Sequence, residues 1–308
     1  MKKRFSALTA AAMTALLAAG LAAGETLPAE EWEGWDVPSE EERAEDIFSE
    51  VPVETENSYR ASDIACTYTA YVDEENFHGR QEYHVIDIHV RDARQIRSCF
   101  SEDRFDRLTY SFLDELCEEK GALAAVSGDY ARNRSAGLVI RDGVVYREKL
   151  DNTRDIGVLY MDGTFETYTA KNVPLEEILS NAPWQCWSFG PELLDEEGHA
   201  KTEFNTDVEK TNPRAAFGYY EPGHYCFVVV EGRKKGAAGM TMEELSRLME
   251  ELGCEKAINL DGGRTAQIAW AGKRINRPDQ DRRLNDMIYV CRETLPESEE
   301  MYPVEIKK

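Results

Sequence analysis

The residues best suited to chemistry form one short run, Asn259-Leu260-Asp261-Gly262-Gly263. An apolar stretch that is typical of a buried strand ends there in a carboxylate followed by two glycines. Because glycine adopts backbone angles that side chains forbid, the chain can leave the strand sharply beside Asp261. Such a corner can bind a hydroxyl group, a phosphate or a cation. It is also compatible with a simple turn, since aspartate and glycine are both common turn residues.

A second segment repeats this pattern. In both segments a helical stretch ends at a glycine, a short strand of small apolar residues follows, and an aspartate beside a glycine ends the strand, as in Gly128-Asp129 and Asp261-Gly262. If the two strands lie close in one sheet, the two carboxylates converge. Hydrolysis of a glycosyl bond needs this arrangement, with one carboxyl group to protonate the leaving oxygen and another to act as base or nucleophile. Whether the strands are neighbours cannot be read from the sequence.

The start of the 308-residue chain is typical of a secretory signal peptide. Three cations, Lys2, Lys3 and Arg4, precede an uncharged stretch rich in alanine and leucine, and Ala22-Ala23-Gly24 supplies the small residues that a signal peptidase needs. We therefore predict a signal peptide over residues 1–24 and a secreted, soluble mature protein without stable membrane insertion. An uncleaved anchor is the alternative, although the apolar run is short for a membrane span.

The next segment, residues 25–57, is predicted to be an acidic, disordered spacer. Residues 25–56 hold 13 acidic side chains against a single cation, Arg43, and such a polar composition does not pack into a core. The whole chain has a formal net charge of −23, which argues against nucleic acid as a partner. Residues 58–295 are predicted to form one globular domain, followed by a C-terminal tail over residues 296–308.

The cysteines and histidines do not indicate a metal site. The seven cysteines are widely spaced and include no C-x-x-C pair, so zinc is not expected, and a disulfide framework is not implied, although one or two bridges stay open. His84 and His89 lie in one predicted strand, and their spacing places them on opposite faces of a sheet. No cofactor is predicted, and a divalent cation such as calcium, held by Asp129 and Asp261, is kept as an alternative.

The domain is predicted to be α+β, a single mixed domain of β-sheet and hairpins with packed helices. Strands are predicted at 63–72, 83–90, 122–126 and 225–230, and hairpins at 137–147 and 157–168 around Asp142-Gly143 and Asp162-Gly163. Helices are predicted from the spacing of Phe105, Leu108, Phe112 and Leu116, at 175–179, and after a Thr241/Glu244 capping box. A loop is predicted at 211–218.

Seven short motifs occur in order along the chain. They are Ser127-Gly128-Asp129-Tyr130, Ser188-Phe189-Gly190-Pro191, Asn212-Pro213-Arg214-Ala215-Ala216-Phe217-Gly218, Glu231-Gly232-Arg233, Gly239-Met240-Thr241 with Leu245, Asn259-Leu260-Asp261-Gly262-Gly263 and Asn276-Arg277-Pro278. Together they resemble the phosphodiester glycosidase family over about residues 80–292. The resemblance implies a mixed α+β domain that hydrolyses the bond between a sugar's anomeric carbon and an esterified phosphate. Many bacterial members are exported and associated with surface polysaccharide or wall metabolism, so a cell-surface glycan is an implied substrate.

The resemblance also implies roles for individual residues. Asp261 and Asp129 are the implied catalytic carboxylates, and Arg214 suits a phosphodiester because its guanidinium stays charged and can contact two oxygens. The other implied substrate-binding residues are Asn212, Ser127, Gly128, Asn259, Gly262, Gly263, Arg264, Thr265, Arg233, Asn276 and Arg282. Alternatives stay open for several of them. Arg214 would otherwise pair with an acidic neighbour. Arg233, Arg282 and the asparagines would otherwise brace the loops that carry them.

This chain departs from the family pattern at both strand ends. Ser127 stands where the family usually has Asn, and Arg264-Thr265-Ala266 follows Gly263 where the family usually continues Gly-Ser-Ser. Arg264 would either add a phosphate contact or fill the pocket. Two functions therefore stay open. One is an exported hydrolase of sugar-1-phosphodiesters, N-acetylglucosamine compounds among them. The other is a noncatalytic carbohydrate-phosphate-binding or scaffolding protein of the cell envelope. Metal-assisted hydrolysis at Asp129 and Asp261 is a third, weaker hypothesis.

Overall fold

Antiparallel strands build most of the part of the chain that the structure describes, residues 47–74, 79–292 and 305–306 of a computed structural model. In chain order the strands are β1 (Val53–Glu54), β2 (Ser58–Arg60), β3 (Ile64–Asp73), β4 (Gln81–Val90), β5 (Arg97–Phe100), β6 (Ala122–Ser127), β7 (Val139–Arg141), β8 (Val144–Arg147), β9 (Ile156–Tyr160), β10 (Phe165–Tyr168), β11 (Pro183–Ser188), β12 (Arg214–Glu221), β13 (His224–Val230), β14 (Lys256–Asn259), β15 (Ile268–Trp270), β16 (Lys273–Arg274), β17 (Asp286–Cys291) and β18 (Glu305–Ile306).

The helices of the described residues are few and short. The α-helices are α1 (Leu113–Lys120), α2 (Leu175–Ser180) and α3 (Met242–Glu251), and short 3-10 helices lie at Ala93–Gln95, Ser101–Asp103, Ala131–Asn133 and Gly263–Thr265. Helix α3 begins at the predicted capping box, in which the Thr241 hydroxyl accepts from the Glu244 amide and the Glu244 carboxylate accepts from the Thr241 amide. Across the described ranges, no helix has both the length and the apolar character needed to cross a membrane.

The strands of the described residues pair into three sheets. The first sheet has the order β1-β2-β3-β4-β13-β12-β14, the second β10-β9-β11-β7-β8-β18, and the third β16-β15-β6-β17-β5. The fold is therefore mostly β, and the predicted mixed α+β class is confirmed only in the coarse sense that a few helices accompany the sheets.

One apolar core connects the three sheets. Phe217 and Phe227 of the first sheet, Trp187 of the second and Val126 of the third are fully buried in the same cluster. The rings of Trp187 and Phe217 lie 4.8 Å apart in a tilted arrangement, which is the geometry that aromatic pairs prefer. The common core fixes the sheets relative to one another, and it therefore fixes the ends of β6 and β14, which belong to different sheets.

The helices cover the outer faces of the sheets. The apolar stripe of α3, which includes Met242, Leu245 and Met249, packs with Val228 against the first sheet. Helix α1 packs against the third sheet through Leu113 and related side chains. The α-helices α1, α2 and α3 of the described residues thus pack on the core and contribute no residue to the pocket described below.

Two predicted elements are wrong in their extent. The helix predicted from residue 105 begins only at Leu113, because Phe105 packs 5.0 Å from Phe100 and 5.2 Å from Tyr146 instead of on the helical stripe. The loop predicted at 211–218 becomes strand β12 from Arg214 onward, because this segment pairs with β13 on one side and β14 on the other. Both Asp-Gly hairpins, the strands around residues 63–72, 83–90, 122–126 and 225–230, and the helix near 175–179 are confirmed.

The first described residues are joined to the sheets. The Ser49 amide donates to the Ala61 carbonyl at 2.9 Å, and the Arg91 guanidinium lies 4.3 Å from the centre of the Phe48 ring. Residues 47–57 of the predicted spacer are therefore attached to the folded unit. The predicted signal peptide, the spacer residues 25–46 and most of the predicted C-terminal tail lie outside the described residues.

Candidate active site

The two strand ends that share the Asp-Gly pattern meet between two sheets. Strand β6 lies in the third sheet and β14 in the first, so the condition that they be neighbours in one sheet is not met. Their loops nevertheless touch. The Asp261 amide donates to the Gly128 carbonyl at 3.0 Å, and the Ser127 hydroxyl donates to the Asp261 carbonyl at 3.1 Å. The loop after β6 thus fixes the backbone of Asp261, and the Ser127 hydroxyl contributes one of the two hydrogen bonds.

Two glycines let the chain turn directly after Asp261. Gly263 has φ +62°, a value that glycine adopts without strain, and its amide donates to the Pro213 carbonyl at 2.8 Å. A Cβ atom at Gly262 would lie 2.9 Å from the same carbonyl. The Asp-Gly-Gly corner therefore packs backbone to backbone against the Asn212-Pro213-Arg214 loop, and side chains would prevent that approach.

A pocket of about 340 Å³ opens at this corner. Its size falls within the usual range for small-molecule sites. The residues that line it come from five of the seven motifs and from the loops between them: Tyr130, Phe189, Val208, Asn212, Arg214, Arg233, Asn259, Leu260, Asp261, Gly262, Gly263, Arg264, Thr265 and Arg282. One lining residue, Asp261, carries a carboxylate, and four of the lining residues are arginines. The pocket is therefore suited to an anionic ligand.

The Asp261 carboxyl group has an unusual proton affinity for an aspartate. Burial raises its pKa to about 6, against the opposing effects of the Thr265 hydroxyl and the charges of Arg134 and Arg282. Loss of water around a carboxylate disfavours the charged form. A pKa near neutrality is typical of a group that exchanges protons during catalysis.

Asp129 lies beneath the pocket and does not line it. It is fully buried, and one oxygen accepts from Arg141 at 2.5 Å while the other accepts from the Ser188 amide at 2.7 Å. Burial raises the pKa of Asp129, but the Arg141 charge and the hydrogen bonds outweigh it, so its pKa is lowered overall. Asp129 is therefore an ionised carboxylate held by protein groups.

Asp286 is a second buried carboxyl group in this layer, and the sequence reading missed it. Its oxygens accept from the amides of Asp129 and Tyr130 at 3.1 and 3.3 Å. Burial and the neighbouring Asp129 charge raise its pKa well above the ordinary value, against the opposing charge of Arg141. The available signal was an aspartate at the start of the apolar run Met287–Val290, which mirrors Asp261 at the end of another.

Arg214 mainly holds the pocket wall together. It is buried, and its guanidinium donates to the backbone carbonyls of Met240, Val208, Glu209 and Lys210. Burial and the nearby Arg233 charge lower its pKa to about 10, so it keeps its charge at neutral pH. The alternative of an ion pair with an acidic neighbour is not observed among the described residues, and Nη1 is the guanidinium nitrogen without a hydrogen-bond partner there.

Three exposed arginines form the rim of the pocket. Arg233 donates through Nε and Nη2 to the Asn212 side-chain oxygen at 3.2 and 2.6 Å, so these two predicted residues bind each other. Arg264 and Arg282 are exposed and form no ion pair with a carboxylate of the described residues. The Arg264 side chain thus lies at the edge of an open pocket.

The predicted asparagines separate into two groups. Asn259 lines the pocket, its amide nitrogen donates to the Gly190 carbonyl at 2.8 Å, and its buried Oδ1 has no hydrogen-bond partner among the described residues. Because a buried polar atom normally has a partner, this oxygen indicates a donor on a ligand or a water molecule. Asn276 is buried away from the pocket, where it binds the backbone of Ala266 and Ile268. It braces its own loop, as the alternative reading allowed.

Two aromatic residues, Tyr130 and Phe189, line the pocket, and another arginine lies against both of their rings. The Arg134 guanidinium lies 4.6 Å from the Phe189 ring centre and 6.0 Å from that of Tyr130. Tyr130 has φ +59° and Arg233 has φ +58°, and strained backbone of this kind in non-glycine residues clusters at functional sites. The motifs Ser127–Tyr130 and Ser188–Pro191 contained both aromatics, but only the folded chain places Arg134 between them.

A calcium ion shared by Asp129 and Asp261 does not fit this arrangement. Both oxygens of Asp129 already accept hydrogen bonds from protein donors, and the Arg141 guanidinium already supplies the positive charge beside it. Gly128 packs tightly against Asp286, because a Cβ atom at Gly128 would lie 2.6 Å from Asp286 Cγ. Ser127, Gly128 and Asp129 therefore support the pocket from beneath.

The fold and the site together define a β-rich domain with a pocket that is lined by one carboxylate and four arginines. The chain belongs to the phosphodiester glycosidase family, since the sequence model of that family matches residues 120–291, more than half of the chain. Family membership supports a glycosidase-type function.

Two individual proteins show the extent of this similarity. The SPbeta prophage-derived uncharacterized protein YomE of Bacillus subtilis (strain 168) is 29% identical over 169 residues, which are 52% of this chain and 26% of that protein. The chain thus spans about a quarter of the length of this curated relative. The catalytic domain of zebrafish N-acetylglucosamine-1-phosphodiester alpha-N-acetylglucosaminidase, auto-inhibited by its pro-peptide, is 17% identical with a TM-score of 0.63, over 76% of this chain and 85% of that domain. At this identity the structural likeness shows a shared fold.

Proposed function

We propose that the protein is an exported hydrolase that cleaves the bond between the anomeric carbon of a sugar and the phosphate of a phosphodiester. The observation that carries the proposal is the Asp261 carboxyl group, with a pKa of about 6, in a pocket whose rim is made of arginines. Family membership supports the glycosidase class. The arginines support the choice of a phosphate-bearing substrate, because guanidinium groups bind phosphate oxygens with two parallel hydrogen bonds.

The chemistry of the leaving group explains why one carboxylate is enough. Cleavage of a sugar-1-phosphodiester releases a phosphate monoester, whose second pKa is about 6. Such a group departs as an anion without a strong general acid. The alcohol that leaves from an ordinary glycoside must instead be protonated as it departs. The arginines would stabilise the negative charge on the departing phosphate. The buried and engaged Asp129 is then not required as the acid.

Asp261 in its ionised form would act on the anomeric carbon. It would either take a proton from a water molecule whose oxygen then bonds to the carbon, or attack the carbon directly to form a glycosyl ester that water hydrolyses. On either route the bond between the anomeric carbon and the phosphate oxygen breaks, the sugar gains a hydroxyl group, and the remaining water proton passes through Asp261 to the solvent. The sugar ring would lie against Tyr130 and Phe189, which line the wall of the pocket. The unpartnered Asn259 Oδ1 would accept a hydrogen bond from a sugar hydroxyl or an acetamido N–H.

Arg264, Arg233 and Arg282 would bind the phosphate. Arg264 lies on the 3-10 turn directly after the Asp-Gly-Gly corner and has no carboxylate partner among the described residues. The charged rim also favours substrates of the cell surface that carry phosphodiester-linked sugars. The export proposal depends on the N-terminal signal-like sequence, and an envelope glycan containing N-acetylglucosamine is the substrate type we propose.

The direct test measures sugar release from an N-acetylglucosamine-1-phosphodiester with the wild-type protein and the Asp261→Asn variant. We expect at least about a hundredfold loss of kcat in the variant, the scale on which acid–base groups contribute to catalysis. Asp279→Asn is the matched control, because Asp279 is exposed and outside the pocket lining. Equal rates in wild type and Asp261→Asn would remove Asp261 from the chemistry.

A second candidate function is noncatalytic binding of carbohydrate phosphates, and the residues Ser127, Arg264 and Ala266 motivate it. The Arg264→Gly variant separates the two functions. If Arg264 binds the phosphate of a substrate, its removal should lower kcat/KM by about tenfold or more. If it blocks the pocket, its removal should create or raise activity, most clearly together with Ser127→Asn. Lys235→Gly is the control, since Lys235 is an exposed cation in a neighbouring turn outside the pocket.

A further inference from the structure

A cluster of potential metal ligands lies on the first sheet, away from the pocket. His89 of β4 and His224 of β13 are directly opposite each other on adjacent strands, and their rings stack with centres 3.8 Å apart. Asp87 lies two residues before His89 and therefore on the same face of the sheet. The three side chains are partly exposed.

The ligand atoms of this cluster have the spacing of a coordination site. The Asp87 carboxylate lies 3.2 Å from His89 Nε2 and 2.8 Å from His224 Nε2, and the ligand atoms all lie within 4.8 Å of one another. Tetrahedral zinc with bonds of about 2.0–2.2 Å places its ligands roughly 3.3 Å apart. Stacked rings direct their nitrogen lone pairs in parallel, so metal binding would require the partly exposed His89 ring to rotate until its Nε2 and that of His224 face the same ion.

We propose that Asp87, His89 and His224 bind one divalent transition-metal ion of the zinc class. Two imidazoles and one carboxylate suit zinc, nickel or copper better than calcium or magnesium, which prefer oxygen ligands alone. Three protein ligands leave at least one coordination position for water. Tyr220, whose ring stacks on His224 at 4.1 Å, supports the orientation of that imidazole from the side opposite His89.

The location of the cluster makes it independent of the pocket. His224 begins β13 and Val230 ends it, next to the Glu231-Gly232-Arg233 turn that reaches the pocket rim. The six residue steps between them correspond to about 20 Å of strand. The ion would connect β4 with β13, two adjacent strands inside the first sheet, and would stabilise the folded state because the unfolded chain has no such site.

The sequence alone does not indicate this site, because the two histidines of one strand, His84 and His89, were the pair considered as ligands. His84 and His89 do lie on opposite faces, as predicted: His84 is buried against Tyr68 and Glu231. The partner of His89 is 135 positions away and becomes adjacent only through the pairing of β4 with β13.

The test is a titration of Zn²⁺ alone into the full chain without an affinity tag, after treatment with a chelator. We expect one zinc ion per chain, with binding weakened at least about tenfold in His89→Ala, His224→Ala and Asp87→Asn, since even groups that only support metal ligands contribute that much. His199→Ala is the control, because His199 is exposed and pairs with Glu250 outside the cluster. In parallel, Zn²⁺ should raise the thermal midpoint of the wild type and of His199→Ala only.

The outcomes separate clearly. No zinc binding by the wild type would overturn the proposal. Equal binding by wild type and all three cluster variants would overturn it as well, and would place the ion elsewhere, for example on the buried thiols of Cys226 and Cys254, whose sulfur atoms lie 3.8 Å apart. Asp87→Asn keeps the shape of the side chain, so the proposal remains testable if a histidine variant folds poorly. These measurements do not involve glycosidase activity and are unaffected by the fate of that proposal.

Discussion

Replacing Asp261 by Asn should lower kcat at least about a hundredfold and stabilise the protein at neutral pH. The reason is the same for both effects. The carboxyl group lies where burial disfavours its charge, and this raises its pKa to about 6. An ionised carboxylate at this position therefore destabilises the folded state, whereas the isosteric amide has no charge to bury. Gain of stability on loss of function is typical of active-site residues.

The size and pH dependence of the effect follow from the pKa change. Ordinary aspartate has a pKa of 3.8 and Asp261 about 6, so at pH 7 the penalty is at most about 3 kcal/mol at 1.36 kcal/mol per unit. Because the pocket is open to water, we expect about 1–3 kcal/mol. The pKa is raised in the folded state, so the penalty is absent below about pH 4, grows as the pH rises, and is complete above about pH 6.

The assay is urea unfolding of wild type and Asp261→Asn at pH 4 and pH 7. The two proteins should have similar unfolding free energies at pH 4, and the variant should be more stable at pH 7. Carboxyl groups remote from Asp261 cancel in the difference, whereas Asp286, whose pKa the Asp261 charge raises, adds to the gain in stability at pH 7 in the same direction. In the wild type, kcat/KM should rise with pH through an apparent pKa of about 6, since the ionised form of Asp261 is the reactive one. The difference in unfolding free energy between the variant and the wild type is the deciding quantity. If this difference were lower at pH 7 than at pH 4, the explanation would be refuted.

Two substitutions beneath the pocket test the supporting layer. Arg141→Met should destabilise the protein by about 3–5 kcal/mol at pH 7, because it leaves the buried Asp129 charge without its cation. The loss of stability should shrink at acid pH, where Asp129 can be protonated. A loss that does not depend on pH in chemical unfolding would contradict this account. Gly128→Ala should cost about 1–3 kcal/mol, because the new Cβ would lie 2.6 Å from Asp286 Cγ in a closed interior, and an unfolding midpoint equal to that of wild type would show that Asp286 moves aside freely.

Local patterns were sufficient to predict most strands and turns. Asp142-Gly143 and Asp162-Gly163 each joined two short strands, as this dipeptide does when apolar residues alternate on both sides. The capping box at Thr241 and Glu244 marked the start of α3. The helical spacing from Phe105 was misleading, because two of its aromatic residues, Phe105 and Phe112, lie before α1 begins. Periodicity alone does not distinguish a helix from a loop whose aromatics pack separately.

The candidate site was predictable only in part, for a physical reason. The Asp-Gly-Gly corner, Arg264, Arg233 and Asn259 do line one pocket. The state of Asp129 depends on Arg141 of β7 and Asp286 of β17, which belong to different sheets and are remote in sequence. Arg214 is likewise occupied by carbonyl groups of the Val208–Lys210 segment. Which distant groups a charged side chain contacts is decided by how the sheets and loops pack, and no local pattern encodes it.

The burial of Asp129 has a consequence for substrate choice. A glycosidase that releases an alcohol needs a second carboxyl group at the glycosidic oxygen, and in this pocket Asp261 is the carboxylate among the lining residues. A phosphate monoester leaves as an anion and needs only cations around it, which Arg233, Arg264 and Arg282 provide. We therefore expect turnover of an N-acetylglucosamine-1-phosphodiester and none of the corresponding alkyl glycoside, measured as sugar release under the same conditions. Comparable rates on the two substrates would mean that a proton donor reaches the glycosidic oxygen, and Asp129 would then have to leave Arg141 to provide it.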